Sequence, residues 1–192
     1  MGGIRERGMR RVKGAVVAML LSFLAAASAA AEPKKIDCGE TGFEFDAPGF
    51  VVDCKDASQD SVGVGDGTIK VKIYNLHAVS QADATFLDVI KDHILGSTRI
   101  FYRKTSLESD ITRYYNGDFN GWNAEEDVGS FTVKRVTADF KDGSDPMDCY
   151  AFRQLGARRF EGVSGMTVGL VCSMLGSDKA LFALKHLAGE TD

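Results

Sequence analysis

The chain has 192 residues, with 23 Lys and Arg against 27 Asp and Glu, for a formal net charge of −4. Five of those basic residues and one of the acidic ones fall in residues 1–31, which leaves 18 against 26 in the remainder. So acidic a balance repels phosphate backbones and anionic lipid heads, and it excludes nucleic acid and the membrane surface as electrostatic partners.

Arg5, Arg7, Arg10, Arg11 and Lys13 precede an unbroken apolar run over residues 15–27. Ser28-Ala29-Ala30-Ala31 then meets the polar Glu32-Pro33-Lys34. A charged segment, an apolar segment and a small-residue cleavage site make a secretory signal peptide over residues 1–31, cut after Ala29, Ala30 or Ala31. The apolar run is shorter than the roughly 20 residues a spanning helix needs, so no stable membrane insertion is expected after cleavage. Residues 32–192 are read as one exported domain, placed in a periplasm or secreted.

All four cysteines, Cys38, Cys54, Cys149 and Cys172, follow the leader. An even count in an oxidising compartment predicts two disulfides. Cys38–Cys54 with Cys149–Cys172 is the preferred pairing of the three possible. Residues 149–156 and 165–172 read as two strands around a loop, and folding them about its midpoint sets Cys149 directly opposite Cys172, within bridging distance. No C-x-x-C or zinc-ligand spacing is present.

Phe43 and Phe45 alternate with Glu44 and Asp46, Ala47-Pro48-Gly49 turns the chain, and Phe50-Val51-Val52 resumes a strand. The polar, glycine-rich residues 56–67 read as loop. Ile69, Val71 and Ile73 alternate with Lys70, Lys72 and Tyr74, as in a half-buried strand. Ser80 and Asp83 form a capping signal, and Phe86, Val89, Ile90, His93 and Ile94 follow at helical spacing up to Gly96, predicting a first helix. Residues 98–106 and 110–115 carry strand patterns, Asn116-Gly117 marks a turn, and residues 118–130 form a long loop around Trp122. Residues 131–140 are the longest strand candidate. Ser177 caps a last helix carrying Leu181, Leu184 and Leu187, with Gly189 at its stop. The expected fold class is α+β: an antiparallel sheet flanked by two helices in a single domain.

The stretch Gly42-Phe43-Glu44-Phe45-Asp46-Ala47-Pro48-Gly49-Phe50 resembles the first hairpin of PsbP-like domains. The order of elements, with one helix after the Ile69 to Tyr74 strand and one at the end, is similar as well. That resemblance implies an α/β/α arrangement and a binding or assembly role without catalysis. It carries over no functional residue.

Candidate chemistry is sparse. His93 suits a core edge, and His186 suits a helix C-terminus, where a cation is favoured. His77 lies at a strand end, where binding residues gather, but the sequence places no partner beside it. Ser164-Gly165 lacks the spacing of a nucleophile elbow. Asp142, Asp145 and Asp148 suit turns better than a calcium loop, Glu125-Glu126-Asp127 suits a solvated patch, and the glycine-rich residues 63–67 lack the lysine of a phosphate loop. Tyr115, Phe119 and Trp122, set among asparagines, suit recognition, as do Arg158 and Arg159 at the tip of the disulfide hairpin. The reading is an exported, non-enzymatic binding or accessory protein that needs no cofactor or metal and whose partner is an envelope protein or a small ligand. Two alternatives stand beside it. One is a periplasmic hydrolase using His77 with a carboxylate such as Asp118 or Glu126; the other is a calcium-stabilised domain.

Overall fold

The computed structural model describes residues 32–62, 68–95, 102–103, 105–140, 145–158 and 162–189. The expected leader lies outside them. In chain order the strands are β1 (Lys34–Ile36), β2 (Phe43–Phe45), β3 (Val51–Asp56), β4 (Gln59–Val62), β5 (Thr68–Ser80), β6 (Thr85–Leu95), β7 (Tyr102–Arg103), β8 (Asp118–Asn120), β9 (Glu126–Val128), β10 (Phe131–Asp139), β11 (Met147–Leu155), β12 (Gly162–Val163), β13 (Gly165–Ser173) and β14 (Leu187–Gly189). Two helices, α1 (Leu107–Tyr114) and α2 (Ser177–Lys185), interrupt them.

Ten strands make one antiparallel sheet in the order β1-β3-β5-β6-β13-β11-β10-β8, with β4 beside β5 and β9 beside β10. Among the described residues, 56% strand and 16% helix make a sheet-dominated fold, which overturns the α+β expectation. The main cause is residues 85–95. Their apolar residues satisfy a helical and an alternating pattern at once, and pairing with β5 and β13 decides for the strand. Thr85, Leu87 and Val89 are buried on one face, while Phe86, Asp88, Ile90 and Asp92 lie on the other. The capping signal at Ser80 and Asp83 serves a hairpin turn instead. The Asp83 amide donates to Ser80 Oγ at 3.3 Å, and the Ala84 amide donates to the Gln81 carbonyl at 3.3 Å.

Other expectations change with it. The helix lies where strands were read: Ser106 caps α1 by accepting from the Ser109 amide, and Leu107 and Ile111 are its buried stripe. The polar stretch after Asp56 contains β4, and the Trp122 loop contains β8 and β9. At 13 residues β5 is longer than the nine-residue β10. β2 pairs with β14, not with β3, so the Gly42 to Phe50 stretch is no hairpin. Gly176, not Ser177, occupies the N-cap of α2, and Leu187 lies beyond the helix in β14.

The sheet has two unequal faces. On one, Cys54, Leu76, Leu87, Val133, Phe152 and Val171 meet Ala180, Ala183 and Leu184 of α2 and Phe43 and Leu187 of the β2–β14 ribbon. Gly169 lies directly opposite Phe152, whose ring occupies the space a Cβ would need. On the other face, α1 lays Leu107 and Ile111 over Val136, Ala151, Val168 and Leu170. That second core draws its buried residues from β10, β11, β13 and α1. The same face of β3, β5 and β6 lies beyond it.

Both disulfides form as preferred. Cys149 and Cys172 are opposed in register with Cα atoms 4.1 Å apart, and Cys38–Cys54 spans 5.2 Å. No cysteine is free, and no described helix is long and apolar enough to cross a membrane.

Candidate functional site

Strand alternation decides what the uncovered part of the second face displays. Asp53 on β3, His77 on β5 and Asp88 on β6 lie in one row of paired residues. All three alternate with buried neighbours (Cys54, Leu76 and Leu87) and so point to the open side. His77 Nδ1 hydrogen-bonds Asp88 Oδ1. An ionised carboxylate only accepts, so Nδ1–H is the donor in this contact. Asp53 pairs instead with Lys35 at 2.7 Å and Lys55 at 3.6 Å. The hydrogen bond from Lys35 leads the causes that lower the Asp53 pKa.

The wall beside this row is the C-terminal end of α1. The Tyr115 hydroxyl donates to the Asp88 carbonyl at 3.0 Å, and the Tyr114 hydroxyl donates to Asp92 Oδ2. Burial raises the Tyr115 pKa well above the phenol's ordinary value, so the hydroxyl stays a donor. Burial also raises the Asp92 pKa, against the opposing effects of the Tyr114 hydrogen bond and the Arg113 charge. Asp92 Oδ1, Asn75 Oδ1 and Ser164 Oγ are buried and find no hydrogen-bond partner among the described residues.

Two depressions meet at the His77–Asp88 pair. A pocket of about 300 Å³ includes Asp53, Lys55 and Asn75 in its lining. An apolar groove of about 630 Å³ runs the other way over Val79, Phe86, Phe140, Met147 and Met174. His77, Asp88 and Tyr115 line both. One end of the site thus carries Asp53, Lys55 and Asn75, the other is oily, and a hydrogen-bonding imidazole stands at the joint.

Of the residues read as binding, Tyr115 lines both depressions. Phe119 and Trp122 are partly buried and pack on the α1-side core. Their rings lead inward: Phe119 lies 6.2 Å from Trp122 and from Phe140, and Phe140 lies 5.6 Å from the groove residue Phe86. Arg158 is exposed at an isolated bridge to Val163, away from this groove, and Arg159 lies outside the described residues.

The other chemical candidates are scattered. The carboxylate beside His77 is Asp88, not Asp118 or Glu126, which sit on β8 and β9 at β10, across the sheet. His93 is in β6, and His186 caps α2 with Nδ1 2.9 Å from the Phe182 carbonyl oxygen. Asp148 pairs with Arg135 at 3.1 Å, while Asp142 and residues 63–67 lie outside the described residues. Among the described residues no group of three or more His, Cys, Asp or Glu is placed to hold a metal ion.

Sequence reasoning missed Asp88, Phe86, Phe140, Met147 and Met174. The available signal was the alternation of Phe86, Asp88, Ile90 and Asp92, which the helical reading hid. No family model, curated protein or solved structure matches the chain.

Proposed function

We propose that this protein is an exported binding or accessory module that holds a small, largely apolar ligand in the groove between β5, β6 and the Tyr115 wall. The observation that carries this reading is a groove of about 630 Å³ with Phe86, Phe140, Met147 and Met174 along it and a hydrogen-bonding pair at one end. Concave, mainly apolar sites with a few convergent polar groups are where small molecules bind. The leader pattern and the two disulfides support an oxidising compartment, and a periplasm suits both.

The hydrolytic alternative has one observation in its favour. The His77–Asp88 pair holds an imidazole as a general base is held, in the lining of a pocket. The binding reading needs no further group, whereas a hydrolase needs an electrophile-stabilising set besides the base.

The test uses the neutral fluorophore N-phenyl-1-naphthylamine. Saturable fluorescence enhancement is expected, and Met174→Asp, at a 58% exposed position, weakens it about tenfold by putting a charge beside an apolar ligand. No saturable binding, or binding indifferent to Met174→Asp, overturns the reading.

A further inference from the structure

Resting on that reading, we infer that His77 is the end stop of the groove, so that the ligand is an apolar molecule of limited length whose body ends at the imidazole. Three observations carry this. First, the register lays the two depressions end to end along β5. Asn75, His77 and Val79 follow one another on one face; Asn75 pairs with Lys55 and Ile90, and Val79 pairs with Val51 and Phe86. The row between them is Asp53–His77–Asp88, and its His77 and Asp88 line both depressions. Second, this divide is braced. His77 Nδ1 is hydrogen-bonded to Asp88 Oδ1, and the Tyr115 hydroxyl donates to the Asp88 carbonyl at 3.0 Å, so floor and wall are tied at one residue. Third, the lining beyond the divide carries Asp53, held by Lys35 at 2.7 Å and by Lys55 at 3.6 Å. A methylene chain laid there would strip water from these charges and return no hydrogen bond. The stop acts through the bulk and position of the ring, whatever its charge.

Displacement of N-phenyl-1-naphthylamine by the straight-chain alcohols from hexan-1-ol to dodecan-1-ol reads the stop. In the native protein affinity is expected to rise about fourfold with each methylene buried, then to level off at one chain length. In His77→Ala the levelling moves to a chain longer by about two methylenes or more, because the row that the imidazole fills spans roughly 7 Å of strand. In His77→Phe, which keeps a ring and loses the hydrogen bond to Asp88, the levelling stays at the native length or falls at a shorter one. Both variants still bind the fluorophore, since an end stop is not what holds it. Affinity that rises through the whole native series overturns the inference and leaves the groove reading standing. So does a levelling that His77→Ala leaves in place, one that His77→Phe lengthens as far as His77→Ala does, or the loss of fluorophore binding in His77→Ala. Failure of the native protein to bind the fluorophore or any of the alcohols overturns both.

Discussion

Two acid–base pairs on the same face of the sheet show how burial divides structure from function. Arg153 Nη1 donates to Asp110 Oδ2 at 2.7 Å and to the Thr105 carbonyl at 2.7 Å, with the two side chains 7% and 3% exposed. This pair sits under α1 and locks the helix to β11. His77 and Asp88 make the same kind of contact three and two strands away from β11 in the sheet order, but their side chains are 51% and 34% exposed. A partnered charge shut away from water cannot lose its partner cheaply, whereas an exposed pair contributes about 0–1 kcal/mol. Folding therefore accounts for Arg153–Asp110. It gives little reason for His77–Asp88, and the groove beside that pair gives a better one.

The sharpest way to break the comparison is to cut both pairs. Asp110→Ala leaves a buried guanidinium without its carboxylate and is expected to destabilise the fold by about 3–5 kcal/mol, read from urea unfolding. Replacing Cys149 and Cys172 together by alanine removes the cross-link under the same helix, with an expected loss of about 2–5 kcal/mol and a matching fall in Tm. His77→Ala, by contrast, is expected to change stability by less than about 1 kcal/mol. An effect as large as that of Asp110→Ala would make the exposed pair structural after all.

The smallest effect sharpens the boundary between the two regions. Asp92 lies at the foot of the Tyr114 wall, and burial raises its pKa above the usual 3.8. The folded protein thus holds this proton more tightly than the unfolded chain. The resulting stability is fully present below the ordinary carboxylate pKa and is lost as pH rises through the raised value. Asp92→Asn keeps an acceptor for Tyr114 and removes the charge. The variant is expected to be more stable than the native protein at neutral pH, with the advantage vanishing toward pH 3. Urea unfolding across that range checks the sign.

The sequence exposed these regions unevenly. The disulfide hairpin was legible because Cys149 and Cys172 are symmetric about one loop, and register follows from that symmetry. The β5 strand was legible from Ile69 to Tyr74, where Lys and apolar residues alternate strictly. β6 was not, because Phe86, Val89, Ile90 and Ile94 fit both periods and the tie is broken by pairing with β5 and β13, which are distant information. The site inherited that error. His77 stood out as a strand-end histidine, but its partner Asp88 was assigned to a helix and so could not be set opposite it. Tyr115 was found for its aromatic surroundings, while Met147 and Met174 come to the groove only through the fold of the sheet.

The most direct test of the groove is a map of amide chemical shifts during titration of the native, oxidised protein with N-phenyl-1-naphthylamine. The account predicts changes concentrated at Val79, Phe86, Asp88, Tyr115, Phe140 and Met174, with the α2-side core around Ala183 and Val133 unmoved. Changes centred on Arg158 or on the α2 side, with the His77 neighbourhood silent, would contradict it.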